Sequence, residues 1–261
     1  MAENDSNGNA ITLGIIEPKD CTVGNYCGPR STGLTPCPAG DFNPLRNLTA
    51  ESECAECPPG KYCSGGLDAP DGVCDKGYAC TGLDSTKDEV SNICTAGNVC
   101  AAGSTQEIKC PVGKYCALAT DGSNLVLDPV DCDAGYLCLG GATVSNPTDG
   151  TTGKLCEQGY YCGTGARYQV ACGIGTYNPT APTTGSPNTT DAVCETCPNQ
   201  KYCASKALTA VSGACAPKFF CETGEITQWP NDNICTAGNY CPGDTSAPVP
   251  CLAGYYNKYI G

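Results

Sequence analysis

The 261-residue chain has no histidine, one tryptophan, one methionine and three phenylalanines. Without histidine there is no Ser-His-Asp triad, no Cys-His nucleophile and no HExxH zinc site. Leu, Ile, Val and Phe together supply only about 15% of the residues, too few to fill the interior that a domain of this length normally buries. No stretch is apolar enough to cross a membrane, so no span is expected in this chain. Basic residues are scarce, 14 against 27 acidic ones for a net charge of −13. That balance lacks the basic surface on which nucleic-acid binding depends. The first twenty residues, MAENDSNGNAITLGIIEPKD, have neither a basic n-region nor a long apolar h-region and do not form a signal peptide. A chain of secreted type that begins this way is expected to be a mature or truncated product, or one whose start was assigned otherwise.

What the chain has in abundance is cysteine, 25 residues. Low hydrophobicity with this net charge would by itself give disorder. Disulfides reverse that expectation, because each bridge adds roughly 2–4 kcal/mol by restricting the unfolded chain. Such a cysteine content marks a disulfide scaffold and an oxidising compartment, so an extracellular or cell-surface location is expected. A zinc protein is the rival. Two Cys-x2-Cys pairs occur, Cys54/Cys57 and Cys194/Cys197, but neither is followed by a second pair at zinc-finger spacing. No metal site is expected.

Ten cysteine pairs follow Cys-x5-Cys, beginning at Cys21, Cys57, Cys74, Cys94, Cys110, Cys132, Cys156, Cys197, Cys215 and Cys235. Gly stands three residues after the first Cys in eight of the ten, and an aromatic precedes the second Cys in seven. This pattern predicts a tight turn at Gly, then a short extended piece whose aromatic packs on a neighbouring bridge. Cys37, Cys172 and Cys251 start the same phrase without a closing Cys, as CPAGDFN, CGIGTYN and CLAGYYN. A longer period lies above the short one: the cysteines from Cys21 and those from Cys156 agree in order over eleven positions, and the heptapeptide NICTAGN falls in the same slot of each half, at Asn92–Asn98 and Asn233–Asn239. Modules this small have no core of their own and stack as repeat proteins do. The expected fold is small and disulfide-rich: an elongated linear array of cysteine-rich repeats with short β-hairpins and turns, little helix and a minimal hydrophobic core. The pattern divides the chain into an N-terminal segment (1–20), a first cysteine-rich block (21–116), an extra repeat unit and linker (117–155), a second block (156–250) and the start of a further, truncated block (251–261).

The phrase CPAGDFNP…C-x2-C-P-x-G, at Cys37–Gly60 and again at Cys172–Cys203 with Gln200 in place of the usual Gly, resembles the ephrin-receptor-like cysteine-rich repeat. More loosely it is similar to tumour-necrosis-factor-receptor and EGF-like modules. The resemblance implies extracellular, elongated modules and suggests Cys37–Cys54 and Cys172–Cys194 as bridges. Repeats of this kind abound in protist surface proteins and flagellar hairs (mastigonemes). Three pairings of the other cysteines stay open: each Cys-x5-Cys closed on itself, leaving Cys251 single; crossed bridges between successive pairs; or each second Cys joined to the next first Cys, leaving Cys21 over. Under the first, Cys251 is expected to bond a cysteine downstream of residue 261 or one on another subunit.

Sequons stand at Asn47-Leu-Thr and Asn188-Thr-Thr, seven and six residues before Cys54 and Cys194, with a third at Asn4-Asp-Ser. N-linked glycans are expected at Asn47, Asn188 and Asn4. The Pro/Thr-rich runs NPTAPTTGSPNTTD and NPTDGTTG are of a composition that carries O-glycans. No cofactor is expected beyond glycans. Calcium is the one metal worth naming, with Asp84, Asp88 and Glu89 as its candidate ligands, although no EF-hand spacing supports it. Glu51, Glu53 and Glu56 cluster beside Cys54, which solvation explains better than acid–base work. No catalytic residue is expected and the protein is read as no enzyme. The expected role is a structural glycoprotein that self-associates into a fibre or joins other surface glycoproteins. The alternative is a receptor or adhesion ectodomain for a protein or glycan ligand, with Trp229 or Phe219-Phe220 as contact residues.

Overall fold

A computed structural model describes residues 17–118, 125 and 128–258. Among these there is no α-helix; three single turns of 3-10 helix occur at Glu51–Glu53, Val90–Asn92 and Asp191–Val193. All sheets are two-stranded antiparallel hairpins, such as Lys61–Tyr62 with Gly72–Val73 and Tyr136–Cys138 with Gly153–Leu155. The protein is therefore a small, disulfide-rich, low-helix repeat fold. The described residues form two compact units, one running to Ile93 and taking in Cys100–Gln106, the other comprising Cys94–Val99 and the residues from Glu107 onward. The cysteine period runs through both, so it records a repeated pattern and not a compact boundary.

Nine of the ten Cys-x5-Cys pairs close on themselves: Cys21–Cys27, Cys57–Cys63, Cys74–Cys80, Cys110–Cys116, Cys132–Cys138, Cys156–Cys162, Cys197–Cys203, Cys215–Cys221 and Cys235–Cys241. Cys94 and Cys100 are disulfide-bonded as well. Two bridges are longer, Cys37–Cys54 and Cys172–Cys194. Cys251 alone is free. Of the three pairings open from the sequence, the first is the one observed.

Within a module the chain makes a four-residue turn. In one such turn the Lys61 N–H donates to the Pro58 carbonyl at 3.2 Å, and Gly60 takes a φ of +80°. A type II turn demands positive φ at that third position, where Gly costs least. Gln200 and Lys218 hold the same place with φ of +73° and +80°, at a cost of roughly 1–2 kcal/mol each for a side chain in the left-handed region.

Successive modules are joined by a recurring set of four backbone bonds. In the first compact unit, Gly60 donates to the Cys80 carbonyl at 2.9 Å and accepts from Cys74 N–H at 3.1 Å. Cys63 N–H donates to the Asp84 carbonyl at 2.8 Å, and Leu83 N–H to the Cys57 carbonyl at 3.2 Å. The second unit repeats the set at Gly113, which donates to Cys138 and accepts from Cys132, with Cys116 donating to Ala142 and Gly141 to Cys110. A further module also approaches the turn: a Cβ on Gly60 would lie 2.6 Å from the Gly103 carbonyl oxygen, and one on Gly113 2.5 Å from that of Gly165. Glycine at the turn therefore serves close stacking as well as φ.

The buried apolar residues are mostly the cysteines themselves, with Leu48, Ala79, Tyr136, Leu137 and Ala142 as the additions. Tyr115 packs against Cys132, Cys138 and Ala142, the aromatic-on-bridge contact expected from the sequence. Elsewhere the aromatic does something different. The rings of Tyr62 and Tyr202 lie over their cross-strand partners Gly72 and Gly213, whose Cβ positions fall 3.4 and 3.2 Å from the ring edge. The ring shelters backbone that glycine leaves bare.

Candidate functional site

Three modules lack a closing cysteine, and the structure shows what replaces it. Asn43, Asn178 and Asn257 occupy the sixth position after Cys37, Cys172 and Cys251, where other modules have their second Cys. Asn43 and Asn178 are both 1% exposed. Gly24 N–H donates to the Asn43 carbonyl at 2.8 Å and Gly238 N–H to that of Asn257 at 2.8 Å, the same bond that Gly60 makes to Cys80. In two of the three the side chain ties the module to the one before it: Asn43 Nδ2 donates to the Asn25 carbonyl at 2.8 Å and Asn257 Nδ2 to that of Asn239 at 3.0 Å, whereas the buried Asn178 Nδ2 has no partner among the described residues. Asn43 and Asn178 also accept from the N–H two residues on, at Leu45 and Thr180, which turns the chain at each Asn-Pro. The first Cys of an Asn module is thereby released to bond elsewhere. Cys37 and Cys172 bond the first Cys of a Cys-x2-Cys, whose two middle residues pair with the module's strand: Asp41 with Glu56 and Phe42 with Ala55, Thr176 with Thr196 and Tyr177 with Glu195. Sequence inspection grouped the three phrases but passed over their shared Asn, which was the available signal.

The two sequons do not occupy the same backbone position. Asn47 N–H donates to the Cys21 carbonyl, as Leu83 does to Cys57, and Asn47 has a φ of +62°. Asn188 instead gives its carbonyl to Cys162 N–H, as Leu48 does to Cys27. Asn188 thus matches the residue after Asn47. Its position faces inward: Asn188 is 3% exposed and its Nδ2 donates to the Glu157 carbonyl at 3.2 Å. Asn47 is exposed, with Oδ1 accepting from Cys21 N–H at 3.0 Å. That bond takes the place of the preceding turn's carbonyl, to which first cysteines such as Cys37 and Cys74 donate. The nitrogen that receives an N-glycan donates within the fold at Asn188, so the two sequon asparagines differ in exposure by their register. Asn4 lies outside the described residues.

Four of the carboxylates expected to be solvated or to bind calcium, Glu51, Glu53, Asp84 and Glu89, have protein partners. Glu53 accepts from Thr49 N–H at 2.6 Å and from Ala50 N–H at 3.3 Å, and these bonds, that to Thr49 foremost, hold its carboxyl below the ordinary range. Glu51 accepts from the Tyr26 hydroxyl at 3.2 Å. Desolvation, then the charges of Glu56 and Glu51, push Asp41 above the usual aspartate range. Asp84 is buried and accepts from Gly82 N–H at 3.0 Å and from Asn92 Nδ2, while Glu89 accepts from Ser85 Oγ at 3.1 Å. Glu225 holds Asn233 in the same way that Asp84 holds Asn92. Asp84 does lie near Cys74 and Cys80, but those sulfurs are joined in a disulfide and have no thiolate to offer a metal.

NICTAGN is accounted for by these contacts. Its first Asn is the one tied to Asp84 or Glu225, and its Ile forms the single bridge Tyr78–Ile93 or Phe219–Ile234. Its last Asn donates to the turn threonine, Thr95 or Thr236, at 2.9 Å in both copies. In the NPTDGTTG run, Asp149 accepts first from the Thr152 hydroxyl at 2.6 Å and then from the N–H groups of Thr151, Thr152 and Gly153, which pull its carboxyl down to about 2. Phe219 and Phe220 are half-buried and Trp229 is 57% exposed.

No family model and no curated protein matches the chain. Among the described residues no helix is long and apolar enough to cross a membrane.

Proposed function

We propose that the chain is a structural element of an extracellular or cell-surface assembly, a disulfide-stapled rod or filament segment of the flagellar-hair type that carries an N-glycan at Asn47. The observation that supports this most is the four-bond joint between modules. It uses only main-chain groups of a recurring phrase, so its chemistry tolerates varied side chains and repeats without limit. Glu53, Asp84 and Asp149 accept from N–H groups of local turns and the sequence has no histidine, and no enzymatic role is proposed. The many disulfides fit an extracellular protein.

Electron microscopy of the native material tests the reading. Regular fibres built from this chain are the expected result; an isolated monomer that captures one defined protein would overturn it. The disulfide premise is tested separately by thiol counting, with one reactive thiol per denatured, unreduced chain and 25 after reduction. One observation favours an adhesion role instead: Ile226 and Trp229 are 52% and 57% exposed. If that role is the true one, Trp229→Ala abolishes ligand capture and leaves stability unchanged.

A further inference from the structure

Two runs of the chain combine proline with threonine, and the fold uses them differently. In NPTDGTTG the hydroxyl of Thr152 donates to Asp149 at 2.6 Å, and the same carboxylate accepts from the N–H groups of Thr151, Thr152 and Gly153. Pro147 is buried, with its Cγ only 2.2 Å from where a Cβ on Gly153 would lie. This run is closed on itself: its backbone is tied to one carboxylate and the Thr152 hydroxyl is spent.

The run from Asn178 to Pro187 is open. Pro179, Pro182 and Pro187 have no N–H to give, and each favours extended backbone in the residue before it. Thr183 and Ser186 pair, with Thr184 and Gly185 as the tip of the small hairpin. Some hydroxyl oxygens of the loop are engaged: Thr183 Oγ1 accepts from Ser186 N–H at 3.0 Å, and Thr190 Oγ1 accepts from Ala192 N–H at 3.3 Å. The hydroxyls of Thr180, Thr184 and Ser186 have no bond among the described residues, and all three residues are exposed. Ser186 adjoins the half-buried Pro187, whereas Thr180 and Thr184 have exposed residues on both sides. Both threonines are fixed through other groups, Thr180 by its N–H to Asn178 Oδ1 at 3.0 Å and Thr184 by its carbonyl to the Tyr136 hydroxyl at 3.4 Å. Their side chains are left to solvent on a held backbone.

We propose that Thr180 and Thr184 are O-glycan acceptors, each taking a sugar from a nucleoside diphosphate sugar under a transferase. The threonine oxygen attacks the anomeric carbon, and the new C–O bond forms as the bond from that carbon to the diphosphate breaks. The hydroxyl proton ends on the departing nucleoside diphosphate. Runs of Ser and Thr with Pro are the composition that carries such sugars, and geometry selects among their hydroxyls. The longer loop thus bears its sugar on outward threonines, while its sequon asparagine, Asn188, is 3% exposed. The inference rests on the extracellular reading of the chain and adds a class of sugar that Asn47 does not supply.

The test exposes the full oxidised chain, and the same chain reduced and alkylated, to uridine diphosphate N-acetylgalactosamine and a polypeptide N-acetylgalactosaminyltransferase. Electron-transfer mass spectrometry reads the sites. In the oxidised chain, sugar is expected at Thr180 and Thr184, and about tenfold more slowly at Thr152, which must first break a hydrogen bond to a charged carboxylate. Reduction should remove that difference. Thr184→Val should remove one sugar and leave the unfolding midpoint unchanged, since the Tyr136 contact is to the main chain. Equal rates at Thr152 and Thr184 in the oxidised chain, or one pattern for both forms, would overturn the proposal. Mapping of the native secreted chain separates it from the extracellular reading. Sugar at Thr180 and Thr184 beside a glycan at Asn47 supports both; a glycan at Asn47 with both threonines bare overturns the O-glycan proposal alone, and all three bare counts against both.

Discussion

The loops that follow Phe42 and Tyr177 begin alike and end alike. Each opens with Asn-Pro on a buried asparagine, passes through a sequon, makes a single 3-10 turn and closes with a cysteine bonded back to the loop's start. They differ in length, with bridges spanning 17 and 22 positions. The longer loop spends its extra residues on a fold of its own: Thr183 and Ser186 pair, and Tyr136 Oη donates to the Thr184 carbonyl at 3.4 Å. Pro187 then crowds Gly135, whose Cβ would fall 2.4 Å from the proline's own Cβ. Pro187 thus holds the position that Asn47 has in the shorter loop, and the sequon asparagine is moved on by one residue to the inward face. A single residue of register decides whether the sequon's asparagine faces solvent or is buried.

The largest effect should be one that the loops share. Replacing Cys37 and Cys54 together with alanine, or Cys172 and Cys194 together, should cost about 3 kcal/mol in either case, because chain entropy rises only slowly with loop length. Denaturant unfolding of the two double variants checks this, and a difference of several kcal/mol between them would break the likeness. The next effect separates the loops. Asn188→Ala removes a nearly buried side chain and its bond to the Glu157 carbonyl, which keeps the Tyr160 N–H as a donor, and should destabilise by about 1–2 kcal/mol, whereas Asn47→Gly keeps the left-handed φ, gives up the bond from Cys21 N–H and should cost about 1 kcal/mol or less. Glycopeptide mapping of the secreted chain sharpens the same contrast: a glycan is expected at Asn47 and none at Asn188, and full occupancy of both would show the register argument wrong.

The smallest effect is again a shared one. Desolvation first, and then a hydrogen bond to a carboxylate, raise the hydroxyl pKa of Tyr26 beside Glu51 and of Tyr177 beside Glu195 above the ordinary tyrosine value. A raised folded-state value favours the neutral phenol. The stabilisation is therefore complete below the unfolded tyrosine pKa near 10 and is lost as pH rises through the folded value. Ultraviolet titration of the wild type against Tyr26→Phe and Tyr177→Phe should show each tyrosine ionising late.

Much of the fold could be read from the cysteines because they carry both the spacing and the burial. The Gly at the third position after each first Cys announced the turn, and an aromatic before the second Cys announced a short strand. Pairing was less legible, since several pairings satisfy the same count and only geometry distinguishes them. At the candidate site, Cys251 stood out by lacking a partner, whereas the role of Asn257 was hidden: a residue that stands in a cysteine's place and makes a side-chain hydrogen bond to a carbonyl breaks the cysteine pattern without announcing its own. The difference between the two sequons was hidden for a related reason. Counting from Cys54 and Cys194 gave offsets of seven and six, and a difference of one looks like loop slack when backbone register is unseen.

The short span of nearly every bridge has a mechanical meaning. When an oxidised chain is pulled, the residues enclosed by a bridge contribute no length. At roughly 3.3–3.6 Å per extended residue, a Cys-x5-Cys loop of separation 6 withholds only about 20 Å, whereas the loops closed by Cys37–Cys54 and Cys172–Cys194, spanning 17 and 22 positions, withhold roughly 60 and 75 Å. Under tension the Cys37 and Cys172 modules are the places where reducing one bond releases most slack, so the length the chain can yield is concentrated at two points.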